Sequence, residues 1–208
     1  MEIQNCTYVM IKPVYENNDK NKLAQAIIFK ELQKRFAQEG LKIEYKKRIK
    51  YTKKAIASHY REHVGKHFYR NLERCLLKNS AVGMVVSGKN VIERVRAMAG
   101  STIKVDSQTG NIRLPEPGSI RYNMFIALYQ VQNGVKPSDV VIPENLDDCE
   151  KVFNTVTNCV DIFKNGEKIA EMNMTENLVH TSSCKEDALN EIQTFASLCK
   201  NKSQTLEF

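Results

Sequence analysis

The sequence of 208 residues lacks tryptophan, has few prolines and glycines, and contains no apolar run near the roughly 20 residues of a membrane-spanning helix. Its six cysteines are scattered without a CxxC pair, which disfavours both a zinc site and a disulfide framework. Residues 1–5 lack the basic-then-apolar order of a signal peptide. Together these absences predict a cytoplasmic protein with reduced thiols and no membrane partner.

What the sequence does contain is an ordinary globular composition, with 42% apolar and 26% charged residues. A chain of this size and composition can bury a core, and we expect a single domain over residues 1–208. Lysine and arginine number 31 against 24 acidic residues, which gives a formal net charge of +7. This excess favours a polyanionic partner such as a nucleotide, a nucleic acid or an anionic lipid, and charge alone does not choose among them.

Hydrophobic periodicity predicts strands and helices in alternation. Short apolar or alternating runs predict four strands, at 7–11, 41–46, 81–86 and 177–180. Helical spacing predicts five helices, at 23–39, 52–63, 68–77, 91–100 and 185–198. Residues 16–21 have the composition of a polar loop. Four strands interleaved with helices predict an α/β sandwich with one exposed helical layer.

Two segments have weaker patterns. Residues 101–121 lack helical periodicity and place three proline or glycine residues close together, which predicts a functional loop. After Arg121 an apolar run at 124–131 leads into a stretch whose periodicity is weak. Its apolar residues are too numerous for a flexible linker, so we expect part of this stretch to fold or to bind a partner.

The sequence has four histidines, and only His180 stands where a predicted strand meets a polar turn. His59, His63 and His67 recur every four residues, a spacing that could ligate zinc, but no acidic ligand lies in register with them. A solvated helix face is the favoured interpretation of these three. A histidine at a strand end is more often structural than catalytic, so His180 needs support from elsewhere in the chain.

That support comes from a set of motifs in a fixed order. Ile11-Lys12-Pro13 closes the first strand, Arg96 and Thr102 flank Gly100, and Pro117-Gly118-Ser119-Ile120-Arg121 ends the predicted loop. The last motif is Asn177-Leu178-Val179-His180-Thr181-Ser182, and Glu191 stands eleven residues after the histidine. In order and spacing this set resembles the nucleoside diphosphate kinase family, whose active-site motif is Asn-x-x-His-Gly-Ser. Any one of the motifs alone would be a weak indication.

The resemblance implies a ferredoxin-like, four-stranded antiparallel sheet covered by helices. It implies an enzyme that moves the γ-phosphoryl group of a nucleoside triphosphate such as ATP to a nucleoside diphosphate, by a ping-pong reaction through a phosphohistidine at His180. Mg²⁺ would bridge the phosphate oxygens, with no protein residue assigned as a metal ligand. The partners would be nucleoside triphosphates and diphosphates, and the assembly a homo-oligomer, either a hexamer or a tetramer built from dimers.

The resemblance also assigns roles to individual residues. The catalytic residues would be His180, Lys12, Tyr60, Asn177, Ser182 and Glu191. The nucleotide-binding residues would be Lys12, Phe68, Leu72, Arg96, Thr102, Arg121 and Asn177. By resemblance, Glu191 accepts a hydrogen bond from the His180 ring, Ser182 hydrogen-bonds Glu191, and Phe68 stacks on the base. Taken singly, each of these residues has an ordinary structural explanation; their joint occurrence favours the site.

Three departures from the family pattern stand out. An unusual insertion at about 123–173 precedes the active-site histidine, and it is expected to alter substrate access or subunit contacts. Thr181 replaces the motif glycine, and a β-branched residue there is expected to resist the backbone geometry that glycine permits, which would reduce activity. Val14-Tyr15 replaces the usual Asp-Gly and is interpreted as surface variation.

An alternative interpretation is a catalytically weakened family member that acts as a scaffold or a nucleic-acid-binding protein. The insertion would be its interaction surface, and residues 42–54, with seven basic side chains against one glutamate, would contact nucleic acid. A solvated sheet edge, on which lysines discourage edge pairing, is the favoured explanation of that basic segment. Retention of the whole residue set favours the enzyme.

Overall fold

The computed structural model describes residues 5–200. The strands are β1 Cys6–Ile11, β2 Lys42–Ile49, β3 Ala81–Ser87, β4 Lys104–Val105, β5 Ile112–Arg113, β6 Glu150–Asn154, β7 Cys159–Lys164, β8 Glu167–Asn173 and β9 Val179–Thr181. The α-helices are α1 Asn18–Gln38, α2 Lys53–His59, α3 Tyr69–Leu77, α4 Val91–Ala99, α5 Ile120–Gln132 and α6 Lys185–Lys200, and Arg61–His63 form a 3₁₀ turn. None of the helices within residues 5–200 has both the length and the apolar content needed to cross a membrane.

Four strands form the central sheet in the order β2-β3-β1-β9, and every neighbouring pair is antiparallel. This confirms the predicted four-stranded antiparallel sheet interleaved with helices. All six residues of β1 are buried, as its unbroken apolar run requires for a strand with neighbours on both sides. β9 pairs with β1 so that His180 lies opposite Met10.

The core beside the sheet is built from large apolar side chains. Tyr8 and Met10 from β1 pack with Ile56 of α2, Leu76 of α3 and Phe195 of α6. A Cβ at Gly83 in β3 would lie 2.5 Å from a ring carbon of Phe195, so only glycine lets this ring reach the sheet. The core therefore fixes α6 against the strands that carry the candidate site.

The helix boundaries follow their caps and correct the sequence-based predictions. The polar loop predicted at 16–21 is wrong, because α1 begins at Asn18 and the Asn17 side chain accepts hydrogen bonds from two backbone N–H groups of its first turn. Gly40 ends this segment with φ 62°, as its predicted capping position requires. Thr52 caps α2, but that helix ends at His59 rather than His63.

The described chain forms two compact units, one of residues 5–96 with 179–200 and one of residues 97–178. The second unit contains the β4–β5 pair, α5 and an antiparallel β6-β7-β8 sheet, with α5 packed against β8. The loop predicted at 101–121 thus includes a short strand pair, and the stretch of weak periodicity forms three strands. Residues 123–173 lie wholly in this unit; their description as an insertion in a single domain stays a prediction.

Candidate active site

His180 lies at the middle of β9, where pairing with β1 fixes its backbone. Its side chain is 16% exposed, so the ring is largely buried but remains in contact with solvent. Leu178, two residues earlier, has φ 60°, a left-handed conformation that is uncommon for a leucine. Such strain, of order 1–3 kcal/mol, persists only where the surrounding structure imposes it, and such residues cluster at functional sites.

The predicted strain at Thr181 is wrong. Thr181 lies within β9 and is absent from the residues of 5–200 that have positive φ, so its backbone needs no glycine. Backbone strain at Thr181 is therefore no reason to expect a loss of activity. The residue of this segment with positive φ is Leu178.

Glu191 of α6 contacts both His180 and Ser182. Its Oε1 lies 2.8 Å from Nε2 of His180, and its Oε2 accepts a 2.7 Å hydrogen bond from the hydroxyl of Ser182. The Ser182 hydroxyl in turn contacts the backbone of Tyr8 in β1, where it accepts from the N–H at 3.1 Å. These are the contacts that the resemblance implied for Glu191 and Ser182.

The electrostatic environment of Glu191 is unusual for a carboxylate. Its side chain is 5% exposed, and burial raises its pKa to about 7. Asp187 and Glu62 raise the pKa further, while His59 and the Ser182 hydroxyl lower it. The carboxyl group therefore changes protonation state near neutral pH. A hydrogen bond donated by His180 requires Oε1 of Glu191 as its acceptor.

His59 is the residue that the sequence analysis placed wrongly. It is 5% exposed and its ring centroid lies 4.8 Å from that of His180, so it does not belong to a solvated helix face. The three histidines share no single helix, because α2 ends at His59, while His63 ends the 3₁₀ turn and His67 follows it. Burial lowers the pKa of His59 to about 3, so its ring is neutral at physiological pH.

The aromatic residues predicted for the site have different neighbours. The ring of Tyr60, at the end of α2, lies 5.3 Å from that of His180 in an edge-on arrangement. Phe68 is half-buried between the rings of His63 and His67, at 5.3 and 5.4 Å, respectively. Leu72 is buried in the core beside the sheet.

Two predicted phosphate-binding residues also lie in the first unit. Lys12 follows β1 and is 4% exposed, close enough for its charge to lower the pKa of His59. Arg96 of α4 is exposed, and its Nη1 is 3.5 Å from the backbone carbonyl of Ser182. Positive charge is thus placed at both ends of the β1–β9 pairing.

The remaining predicted residues form a group within the second unit. Arg121, in the first turn of α5, is 8% exposed and donates to the backbone carbonyls of Asn177 and Gly100. Its Nε lies 3.3 Å from the Asn177 oxygen. Ser119 caps α5, and Thr102 lies half-buried two residues after Gly100. The arginine therefore links the segment that contains Thr102 to the one that contains Asn177.

One cluster of side chains within residues 5–200 has the donor atoms for a metal ion. Ligand atoms of His59, His180 and Glu191 lie within 4.8 Å of one another. Two imidazole nitrogens and one carboxylate oxygen do not suit Mg²⁺, which prefers oxygen ligands in an octahedral arrangement. The cluster of His59, His180 and Glu191 therefore does not match the ligand preference of Mg²⁺.

Comparison with known proteins decides the family. Residues 5–140 match the family model described as nucleoside diphosphate kinase. The chain belongs to the nucleoside diphosphate kinase family. Its curated relatives carry the name of a phosphotransferase enzyme, in agreement with the predicted enzyme class.

Two curated relatives illustrate the extent of the similarity. The nucleoside diphosphate kinase of Methanocaldococcus jannaschii is 36% identical over 107 residues, which cover 51% of this chain and 71% of the relative. That of Thermococcus kodakarensis is 42% identical over 101 residues, which cover 49% of this chain and 56% of the relative. The chain thus spans little more than half the length of the second relative.

Two solved structures show the same fold. The nucleoside diphosphate kinase of Aquifex aeolicus superposes with a TM-score of 0.54 at 20% identity, covering 92% of this chain and 94% of that one. The apo enzyme of Encephalitozoon cuniculi gives a TM-score of 0.54 at 17% identity, covering 98% and 94%. The family-model match ends at residue 140, before His180. The pairing of β9 with β1 places His180 beside a strand that lies within the matched residues.

Proposed function

We propose that this protein is a cytoplasmic nucleoside diphosphate kinase that forms a phosphohistidine at His180. The observation that carries the proposal is the 2.8 Å contact between Nε2 of His180 and Oε1 of Glu191. A neutral imidazole is a competent nucleophile near pH 7, and a carboxylate on one nitrogen orients the ring and fixes its tautomer. Family membership supports the choice of a nucleoside triphosphate as donor.

In this proposal Nδ1 attacks, since a proton on Nε2 lets Glu191 accept the 2.8 Å hydrogen bond and leaves the Nδ1 lone pair available. The Nδ1 lone pair forms a bond to the γ-phosphorus while the bond from phosphorus to the bridging oxygen breaks. The nucleoside diphosphate leaves with that oxygen and its charge. The positive charge gained by the imidazole ring is balanced by the Glu191 carboxylate, and a second nucleoside diphosphate reverses the step.

Fixed positive charge is what phosphoryl transfer requires from its surroundings, since negative charge spreads over the equatorial oxygens. By family resemblance, Lys12, Arg96 and Arg121 would supply it. By family resemblance, Tyr60 contacts the transferring group, Phe68 stacks on the base, and Asn177 binds the sugar. Mg²⁺, the divalent cation of the proposal, neutralises phosphate charge when bound with the nucleotide. The proposed assembly is a homo-oligomer built from dimers.

The rival proposal, a nucleic-acid-binding scaffold, has less support in the structure. Several basic side chains of residues 42–54 are engaged within the chain: Lys46 lies over the Phe29 ring, Lys47 donates to the Cys199 carbonyl, and Arg48 donates to Gln25. Internal contacts of this kind agree with lysines and arginines that cover a sheet edge. A protein that only binds nucleic acid would not require the buried polar contacts that Glu191 makes with His180 and Ser182.

The test is phosphoenzyme formation. The protein is incubated with Mg²⁺ and ATP labelled at the γ-phosphate, isolated, and exposed to GDP. We expect acid-labile label on the wild type, its transfer to GDP, and no label on His180→Ala. His67→Ala, which changes an exposed histidine outside the proposed set, is the matched control for loss of an imidazole and should still take label. A folded wild type without label would contradict the proposed activity.

A further inference from the structure

A chain of buried polar contacts lies behind the pair of His180 and Glu191. The hydroxyls of Tyr8 and Tyr51 are 3.2 Å apart, and the Tyr51 hydroxyl lies 3.3 Å from Nδ1 of His59. The other ring nitrogen of His59, Nε2, faces Oε1 of Glu191 at 3.7 Å. These contacts connect the start of β1 to the carboxylate that holds His180, and the proposed reaction as described so far uses none of the three side chains.

Burial fixes the protonation state of each member. Tyr8, Tyr51 and His59 are 0%, 5% and 5% exposed. Burial raises the pKa of both tyrosine hydroxyls, so each keeps its proton at neutral pH. The neutral His59 ring has one N–H donor and one nitrogen acceptor. Its orientation is held by edge-on contacts with the rings of Tyr8, at 5.3 Å, and Tyr51, at 5.7 Å.

Only one of two proton arrangements suits the nitrogen that faces Glu191. If Nδ1 carried the proton of His59, the Nε2 lone pair would point at a buried carboxylate, and two electron-rich groups would repel each other at low dielectric. If Tyr8 donates to Tyr51 and Tyr51 donates to Nδ1, the proton resides on Nε2 and points at Oε1 of Glu191. At 3.7 Å this is an electrostatic attraction rather than a hydrogen bond.

We propose that His59 is a positioning residue whose Nε2 proton, fixed by the tyrosine pair, keeps the Glu191 carboxylate ionised and directed at His180. The proposal rests on the proposed function, since an ionised Glu191 matters only if the His180 ring becomes positively charged. The Ser182 hydroxyl offsets the burial that favours the protonated acid, and the N–H of His59, directed at Oε1 of Glu191 across 3.7 Å, acts in the same direction. Without them, Glu191 would be protonated over more of the physiological pH range.

The other groups that face Glu191 do not replace this role. The titratable or charged side chains around it are His180 from β9, Tyr8 from β1, Asp187 on α6 itself, Glu62 from the 3₁₀ turn, and Lys12 after β1 near the His59 ring. Asp187 and Glu62 repel the ionised form. The Nε2 proton of His180 takes part in the proposed reaction. His59 is the other imidazole that faces Glu191, so it is the one that stabilises the ionised carboxylate.

The first experiment requires no phosphate transfer. Nuclear magnetic resonance of the full ¹⁵N,¹³C-labelled chain reports the His59 tautomer and the titration of the Glu191 carboxyl carbon, with His59 assigned through His59→Gln. We expect a neutral ring with its proton on Nε2 down to about pH 5.5. In Tyr51→Phe we expect a mixed tautomer and a Glu191 midpoint raised by about one pH unit. A proton on Nδ1 in the wild type, or an unmoved midpoint in Tyr51→Phe, would overturn the proposal.

Tyr45→Phe is the matched control, because it removes a tyrosine hydroxyl from β2 at a residue that is 47% exposed. We expect it to leave the Glu191 midpoint in place. A midpoint that moved equally in both variants would overturn the assignment, since the effect would then not depend on the contact with His59.

The second experiment reads the same effect in the reaction. Single-turnover labelling of His180 is followed against pH in the wild type, Tyr51→Phe, His59→Leu and His59→Gln. We expect the first two variants to label about tenfold more slowly than the wild type near pH 6 and equally fast near pH 8.5. His59→Gln, whose amide is a permanent donor, should recover the rate near pH 6. A loss that is uniform with pH would indicate a merely structural role and overturn the proposal, whereas a wild type without label would reject the proposed function and leave the tautomer measurement to decide on His59.

Discussion

The two compact units bury different kinds of side chain. In the first, polar groups converge beside the sheet, where Glu191, Ser182 and His59 are each at most 5% exposed. In the second, the β6-β7-β8 sheet and α5 enclose apolar side chains, among them Val160 and Met172 with no exposed surface. The same chain therefore builds one centre that costs stability and one that supplies it.

The difference shows where a site can be placed. An ionised carboxylate in a buried position is costly, and it persists only if the surrounding packing offsets that cost. The core beside the sheet, from Tyr8 to Phe195, supplies this packing in the first unit. In the second unit burial of aliphatic groups contributes about 0.8 kcal/mol for each methylene. Polar burial that requires such an offset indicates function rather than stability.

The contrast between the polar centre of the first unit and the apolar centre of the second can be tested by mutation. The largest effect is expected from Glu191→Gln, which should change how the stability of the protein depends on pH. The folded protein holds the Glu191 proton up to about pH 7, whereas an unfolded glutamate releases it near 4.5. The folded state therefore binds the proton more tightly, and its contribution to stability is fully present below about pH 4.5 and is lost as the pH rises through 7. When the pH is lowered from about 8 to about 4, we expect the free energy of unfolding of the wild type to rise by about 3 kcal/mol more than that of the variant.

Urea unfolding at a series of pH values measures this difference. Glutamine retains an oxygen acceptor for His180, while its amide would donate to the Ser182 hydroxyl, which can donate to the Tyr8 carbonyl instead. That exchange does not depend on pH, so the pH-dependent part of the difference reports the charge. Burial lowers the pKa of His59 to about 3, below the pH range compared, so the folded His59 ring stays neutral over that range and its contribution is similar in both proteins. If the difference in free energy of unfolding between the two proteins stayed constant with pH, the environment of the Glu191 carboxyl group in the folded protein would resemble water.

A smaller effect is expected in the second unit, where truncation tests the apolar centre. Val160→Ala removes two methyl groups from a side chain with no exposed surface, and we expect the free energy of unfolding to fall by about 2 kcal/mol. Val152→Ala is the matched control on the neighbouring strand, where valine is 40% exposed. We expect the control to lose less than about 1 kcal/mol. Equal losses in urea unfolding would remove the distinction between buried and exposed positions of this sheet.

The first unit could be predicted from the sequence to a large extent because its periodicities are regular. The apolar run of β1, the helical spacing of α1 and Gly40 at its end each follow from local patterns. The pair formed by His180 and Glu191 could not be predicted in this way. Eleven residues and a turn separate them, and family resemblance, not spacing, brought them together before the structure did.

The failures have physical reasons as well. A spacing of four residues cannot distinguish the inner face of a helix from the outer one, and His59 was assigned to the wrong face for that reason. The β7–β8 hairpin was missed because polar residues interrupt the apolar pattern of both strands, although Asn165-Gly166, with φ 52° and 79°, is a strong hairpin signal. Tyr8 and Tyr51 carried no signal, since a buried tyrosine hydroxyl is identified only by its partners.

The smallest effect concerns a single hydrogen bond in the second unit. The Tyr122 hydroxyl of α5 donates to the carbonyl of Pro143 at 3.2 Å, in a segment that the sequence left without a structural prediction. Tyr122→Phe removes that bond and keeps the ring, so we expect a loss of about 0.5–1.5 kcal/mol in urea unfolding. Tyr129→Phe, seven residues along α5, leaves its ring near the Lys168 ammonium and should change the free energy of unfolding little. If both variants unfolded like the wild type, the segment around Pro143 would not be held to α5 by this contact, and the apolar side chains would be the dominant source of stability in this unit.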